Sequence, residues 1–586
     1  MKKTLLTLAT AILTITSTMA VPARRGVTTW LAQPDGTKIE ASLAGDEYLC
    51  YYTNCWNQRL AKDKDGYWCV MSEHEIKAQD IEAAQRRSTS QMTAATPITK
   101  GSPNMLVILV QFPDLQFTQI KDTKTVRENY EAFFNGEGQY SANASQDDRP
   151  YSVAKYFADQ SFGAYTPKFE VCGPITVSQG YAYYGQDNGN TMDVNWRQML
   201  TEAFDLVKNG ELAGTDITSH FDSNSDGIID GLCVVYAGYG QNQQAPDNTI
   251  WPKASSNLNV GDYVIGRYFV TPELDFQLSN KVESPYLAGI GTACHEFSHT
   301  LGLPDYYDTQ YQVGDAACFG MDVWSVMDQG CYNDNSERPC NYTALDRMLL
   351  GWQDIDPLPT DQDSVVILPT SDDIANHAFR YVNPSNENEY WVFECHTNAA
   401  DGWDAYWGQG TVLSGKSYSQ AQQGMLITHV DYINSWNSGI NNTASHQRYS
   451  VVPADGVRYP YGKVNSSATS KEYLYSLVGD KWPGSNWFLN ENNKYQQGED
   501  YTSGNALSNE FFTFYTSAED FDFAIDDCYI QADGSVVMKY NYPSVLGISN
   551  VSNRSNASTE AKVCIIGGEL MIRIGDRTFN LNGIER

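Results

Sequence analysis

The stretch Cys294-His295-Glu296-Phe297-Ser298-His299-Thr300-Leu301-Gly302-Leu303-Pro304-Asp305 decides how this chain is read. On a helix, residues four apart share a face, so His295 and His299 aim both imidazoles at one spot. Zinc asks for that pairing of nitrogen ligands, completed by a third protein ligand, with the fourth position open to water. Glu296 overhangs the same spot and can take a proton from a water held there. Asp305 is the candidate third ligand. It lies six residues past His299, so the chain must leave the helix to bring it back. Gly302 accepts the left-handed conformation of a helix C-terminus, and Pro304 prevents the helix from resuming. The competing reading is a solvated helix, or a core histidine pair satisfied by backbone carbonyls.

Around this helix, buried strands alternate with helical spacing. "MLVILVQF" (105–112) and "GLCVVYAGYG" (231–240) read as buried strands, "SVAKYFADQSFG" (152–163) and "WRQMLTEAFDLVKN" (196–209) as helices. Residues 99–358 are therefore expected to form an α+β domain, a mixed sheet plus the motif helix. From 359 to 542 the signals are mostly strands, such as "EYWVFECH" (389–396) and "GMLITHVDY" (424–432), which predicts a β-rich, sandwich-like C-terminal domain. Residues 21–98 read as a small β-rich unit with Asp-Gly turns, followed by a polar linker that contains Arg86 and Arg87, a candidate processing site. A tail over 543–586 resembles the C-terminal sorting modules of some secreted proteins.

Lys2 and Lys3, the apolar run Leu5 to Ile15 and the small residues up to Ala20 have the layout of a secretory signal peptide, residues 1–20, with a cut expected after Ala20 or Ala23. No later run approaches the length of a membrane helix. The expectation is a secreted or cell-surface protein, a monomer, with no membrane span. Twelve cysteines in an oxidising compartment predict disulfides. A net charge of -32 argues against nucleic acid as a partner.

The run His295 to Asp305, followed by Tyr306-Tyr307-Asp308, resembles the signature of the M6, immune inhibitor A-like, metallopeptidases of the metzincin group. "KGSPNMLVILVQFPD" (100–114) resembles the start of that family's catalytic domain, and "GMLITHVDY" and "SHQRYSVVPADG" (445–456) its C-terminal region. The resemblance implies a zinc endopeptidase acting on proteins and peptides. It implies zinc on His295, His299 and Asp305, Glu296 as general base, and Met327 in a methionine turn beneath the metal. It also favours a propeptide role for residues 21–98, in which Cys50, Cys55 or Cys69 is a candidate zinc cap, with a disulfide within the unit the favoured use of these cysteines. The alternative function is a non-catalytic binding or adhesion protein with a structural or vestigial zinc site, for which Glu296 has no use.

Weaker signals remain. Asp222, Asn224, Asp226 and Asp230 match the first part of a calcium loop, but Cys233 stands where the last ligand should be. A truncated calcium loop that rigidifies the entry to the strand and an Asx-rich turn without an ion are equally open readings. His429, Asp431 and His446 suggest a second metal, against which a structural histidine is favoured. Tyr332 is a candidate oxyanion donor.

Overall fold

The computed structural model describes residues 18–88, 96–370 and 377–397 except positions 137, 146–147, 190 and 247, together with shorter stretches from 402 to 580. Residues 1–17, which carry most of the signal-peptide reading, lie outside the described residues, as does most of the tail beyond 541.

The central sheet is built from β7 (Asn104–Gln111), β8 (Lys168–Thr176), β9 (Leu232–Tyr239), β10 (Lys253–Val260) and β11 (Tyr263–Leu274). Its order is β1-β10-β11-β9-β7-β8, where β1 is the short N-terminal strand Thr18–Met19. Strands β7, β8, β9 and β11 run parallel, while β10 runs antiparallel to β11. Both faces are covered. On β7, Met105, Val107 and Leu109 join one core, and Leu106, Ile108 and Val110 the other. This is why the strand reads as an unbroken apolar run rather than an alternation.

Helix α5 (Trp196–Asn209) closes one face; among the elements on the other face is the motif helix α8 (Ile290–Leu301), all of whose residues are buried. Phe297 anchors α8 from below, with ring centroids 4.7 Å from Phe157, 5.6 Å from Phe169 and 5.8 Å from Phe269. Gly302 caps the helix at φ 106°, its N–H donating to His299 O and Ser298 O. At the other end, a Cβ on Gly291 would stand 1.9 Å from Cys331 O, so this turn of α8 lies directly on the following segment. Gly291→Ala should destabilise the protein by about 1–3 kcal/mol through overpacking, measured as a lower urea midpoint. An unchanged midpoint would mean the two segments separate freely.

Residues 29–70 form a five-stranded antiparallel sheet, β2 (Thr29–Ala32), β3 (Lys38–Gly45), β4 (Cys50–Thr53), β5 (Arg59–Lys62) and β6 (Trp68–Val70). The first four residues of the stretch expected to be linker, Gln85 to Ser88, are instead the end of a helix, α1 (Glu73–Ser88). It was illegible because its sequence is almost wholly polar and shows no apolar stripe. Arg87 pairs with the buried Asp46, and Arg86 with Glu82 at 3.1 Å, so both candidate processing arginines are engaged at the end of α1.

The C-terminal region is β-rich. Strands Ala378–Asn383, Asn386–His396, Gly424–Asp431 and Tyr449–Val451 belong to one sheet, and Ser364–Ile367, Ala524–Ile530 and Val536–Asn541 form another. Trp391, Phe393, Met425 and Ile427 point into a core shared by these sheets, while Tyr390, Val392, Leu426 and Val430 face the core that holds α8.

The disulfide expectation finds no support at ten of the twelve cysteines. Cys55, Cys69, Cys172, Cys233, Cys294, Cys318, Cys331, Cys340, Cys395 and Cys528 are free thiols. Most of them are buried and serve as small apolar side chains in the cores.

Candidate metal centre and cleft

Helix α8 and the turns after it bring three side chains together. His295 Nε2 and His299 Nε2 are 3.1 Å apart, and each lies 3.3 Å from Asp305 Oδ1. Among the described residues this is the one group of three that could hold a metal ion. Proton placement follows from the outer partners. His295 Nδ1 is 2.7 Å from Val326 O and His299 Nδ1 2.8 Å from Leu303 O. A carbonyl only accepts, so each Nδ1 carries the proton and each Nε2 presents a lone pair. Burial lowers the His295 pKa, which keeps the ring neutral. Two lone pairs and a carboxylate oxygen therefore converge with no proton to share, and Asp305 Oδ1 has no hydrogen-bond partner. A cation resolves that arrangement, and the donor set fits zinc.

The turn beneath is tied to both ligand segments. Val326 O receives His295, and Met327 O accepts from Tyr306 N at 3.0 Å, one residue past Asp305. Met327 itself is fully buried in the core that holds α8.

Glu296 points into the cleft. Its Oε1 accepts from Val21 N at 2.7 Å, and its buried Oε2 has no partner. Burial, with Asp305 and Glu47 nearby, raises its pKa well above the ordinary glutamate range. The partner of Oε1 was unforeseen: the N-terminal segment lies across the site. Thr18 and Met19 pair antiparallel with Ser255 and Ala254 on β10. Ala20 O then accepts from Tyr307 OH at 2.8 Å, Val21 O from Trp251 Nε1 at 2.9 Å, and Pro22 O from Tyr332 OH at 2.6 Å. Further along, Ala23 N donates to Gly45 O at 2.8 Å, and Arg24 N to Asn242 O at 3.0 Å. The amide on Glu296 and the carbonyl on Tyr307 belong to the same peptide bond, Ala20–Val21.

Two sequence-derived candidates fall elsewhere. Tyr332 serves Pro22, one residue past the Ala20–Val21 bond, and Tyr307 takes the position expected of it. The only signal for Tyr307 was its place two residues after Asp305. The cysteines Cys50, Cys55 and Cys69 are not part of the metal-binding group, and the N-terminal segment reaches Glu296 through backbone instead.

Asp222, Asn224, Asp226 and Asp230 lie on the exposed loop before β9. Asp222 accepts from Gly227 N at 2.8 Å and Asp226 N at 3.1 Å, and Asp230 from Ser223 N at 2.8 Å. These carboxylates brace the loop's own backbone. His429 pairs with Glu389 at 3.0 Å and His446 with Asp431 at 2.6 Å, two separate pairs in the β-rich region.

The model of the immune inhibitor A peptidases, family M6 catalytic domain, matches residues 93–350. Residues 93–350 belong to the M6 peptidase family. The M6 region is also what resembles curated proteins. Pre-pro-metalloprotease PrtV of Vibrio cholerae serotype O1 is 28% identical over 270 residues, which covers 40% of this chain and 28% of that protein. Immune inhibitor A of Bacillus thuringiensis subsp. alesti is 28% identical over 257 residues, 39% of this chain and 36% of the relative. The likeness thus spans well under half of either relative. Among the described residues no helix is long and apolar enough to cross a membrane.

Proposed function

We propose that this chain is an exported, zinc-dependent endopeptidase of the metzincin group, held latent by its N-terminal segment from Val21 onward, with a sandwich-like C-terminal region. One observation carries the reading: while the signal peptide is still attached, the Ala20–Val21 peptide bond lies between Glu296 and Tyr307 beside three converging ligand atoms. His295, His299 and Asp305 would hold the zinc. When bound there, it supplies Lewis-acid activation of a water and of the scissile carbonyl. Glu296 takes the proton of the attacking water on Oε2, the oxygen with no other partner. It then delivers that proton to the leaving nitrogen, whose position Val21 N marks. Tyr307 donates to the carbonyl oxygen as negative charge develops there. Trp251 and Tyr332 hold the following carbonyls and so fix the register of the peptide.

Tyr307→Phe removes one hydroxyl and keeps the ring. It should lower kcat by about 100- to 1000-fold with KM and zinc content unchanged, as for other single oxyanion donors. A rise in KM at constant kcat would reassign Tyr307 to substrate binding.

The function is tested on the full chain. Limited proteolysis opens the cleft, casein cleavage is followed, a chelator is added, and zinc is restored. Cleavage that appears on activation, stops with the chelator and returns with zinc supports the reading. One equivalent of bound zinc with no cleavage of casein or of a broad peptide library would overturn it.

A further inference from the structure

The segment in the cleft makes most of its contacts through backbone, which any peptide could copy. The charged side chains are the exception. Arg24 Nη1 lies 3.0 Å from Asp275 Oδ2, Nη2 donates to Asn335 Oδ1 at 2.9 Å, and the guanidinium sits 5.8 Å from the centre of the Tyr332 ring. Asp275 is fully buried, and its other oxygen is spent on Leu278 N at the start of helix Phe276–Val282. Arg25 Nη1 lies 2.8 Å from Asp322 Oδ2, with Asp328 4.0 Å from Nη2 and the Tyr461 ring centre 5.1 Å away. Asp322 is also fully buried, and Tyr473 OH, with its single proton, lies 2.8 and 2.9 Å from its two oxygens. None of these groups belongs to the metal-binding trio or to the chemistry assigned to Glu296.

We infer that Asp275 and the pair Asp322–Asp328 form two specificity pockets that select arginines at the fourth and fifth substrate residues after the cleaved bond. The inference rests on the peptidase reading, with Ala20–Val21 marking where the cut falls. Buried carboxylates need a cation beside them. When the segment leaves, the pockets keep their carboxylates and lose their guanidinium groups. An incoming peptide with arginines at those two places restores both pairs, and one with acidic residues places like charges together. The pockets suit arginine better than lysine. Each offers two acceptor groups and an aromatic face to a planar fork, which a compact ammonium does not match.

The test uses the full chain carrying Arg24→Glu and Arg25→Glu, which expels its own segment by charge repulsion. Peptides of the sequence Thr-Met-Ala-Val-Pro-Ala-X-X-Gly are offered with X-X as Arg-Arg, Lys-Lys, Ala-Ala or Glu-Glu. Cleavage is measured as kcat/KM, and binding by fluorescence polarisation with Glu296→Gln added. Arg-Arg should exceed Glu-Glu by about 100-fold, with Lys-Lys and Ala-Ala between. Equal kcat/KM across the series overturns the pockets and leaves the peptidase reading standing. Arg-Arg binding with no cleavage of any peptide upholds the pockets and overturns the peptidase reading. Should the double variant fold poorly, the unaltered chain gives the same answer. Excess Arg-Arg peptide should then expose the bond after Arg24 to trypsin, and Glu-Glu peptide should not. Equal exposure with both peptides overturns the inference.

Discussion

Glu296→Gln leaves an activated chain that binds zinc and does not cut. The substitution keeps the length and shape of the side chain, and its amide oxygen can still accept the hydrogen bond that Val21 N makes at 2.7 Å. It loses the capacity to take a proton from water and to return one to a leaving nitrogen. General acid–base catalysis is worth about 100- to 10000-fold, and here one carboxylate performs both transfers. A fall in kcat of at least about 1000-fold is expected, read with a fluorogenic peptide. Glu296 is not among the three converging ligands, so elemental analysis should still find one equivalent of zinc. More than a tenth of the parent activity in the variant would remove Glu296 from the mechanism. Lost zinc together with lost activity would make it a ligand.

The second large effect is on stability. His299→Ala removes one of the three converging atoms and leaves His295 and Asp305 buried without the geometry to hold an ion. A metal bound at a thousand times its dissociation constant stabilises the folded state by about 4 kcal/mol. For a region of this size that corresponds to a Tm shift of about 10 °C. The chelator should lower the parent Tm by that amount and leave the Tm of His299→Ala unchanged. Equal sensitivity of both proteins to the chelator would place the stabilising metal elsewhere, and the loop at Asp222, Asn224, Asp226 and Asp230 would then be the next place to look.

How far the sequence alone reached depended on the range of each signal. The motif helix was legible because its information is local: a spacing of four, a glycine at the C-cap and a proline after it all act within 12 residues. The strand Asn104–Gln111 was legible because burial on both faces writes itself into an unbroken apolar run. The contact between Val21 and Glu296 spans 275 positions and leaves no local trace. The residues before Ala23 also have the composition of an export signal, which offered a sufficient reason for their character. Asp275 and Asp322 were passed over because a carboxylate in sequence carries no mark of its burial. The disulfides were inferred from an expected compartment and an even count, and neither speaks of which thiols meet. Tyr307 stood in the quoted signature without a role, since the direction of a hydroxyl depends on a turn whose shape the sequence does not state.

The pairing of Thr18 and Met19 with β10 has a cost that appears once the signal peptide is cut. While the signal peptide is attached the margin of the central sheet is covered along those residues. Once the covering strand has gone, β10 presents unsatisfied N–H and C=O groups to solvent, a template for pairing with another chain. The same groups that receive a substrate will accept a neighbouring copy, or a fragment of one. Concentrated stocks of the processed form would thus be exposed to self-association along β10, to an extent set by how much of that edge is left uncovered.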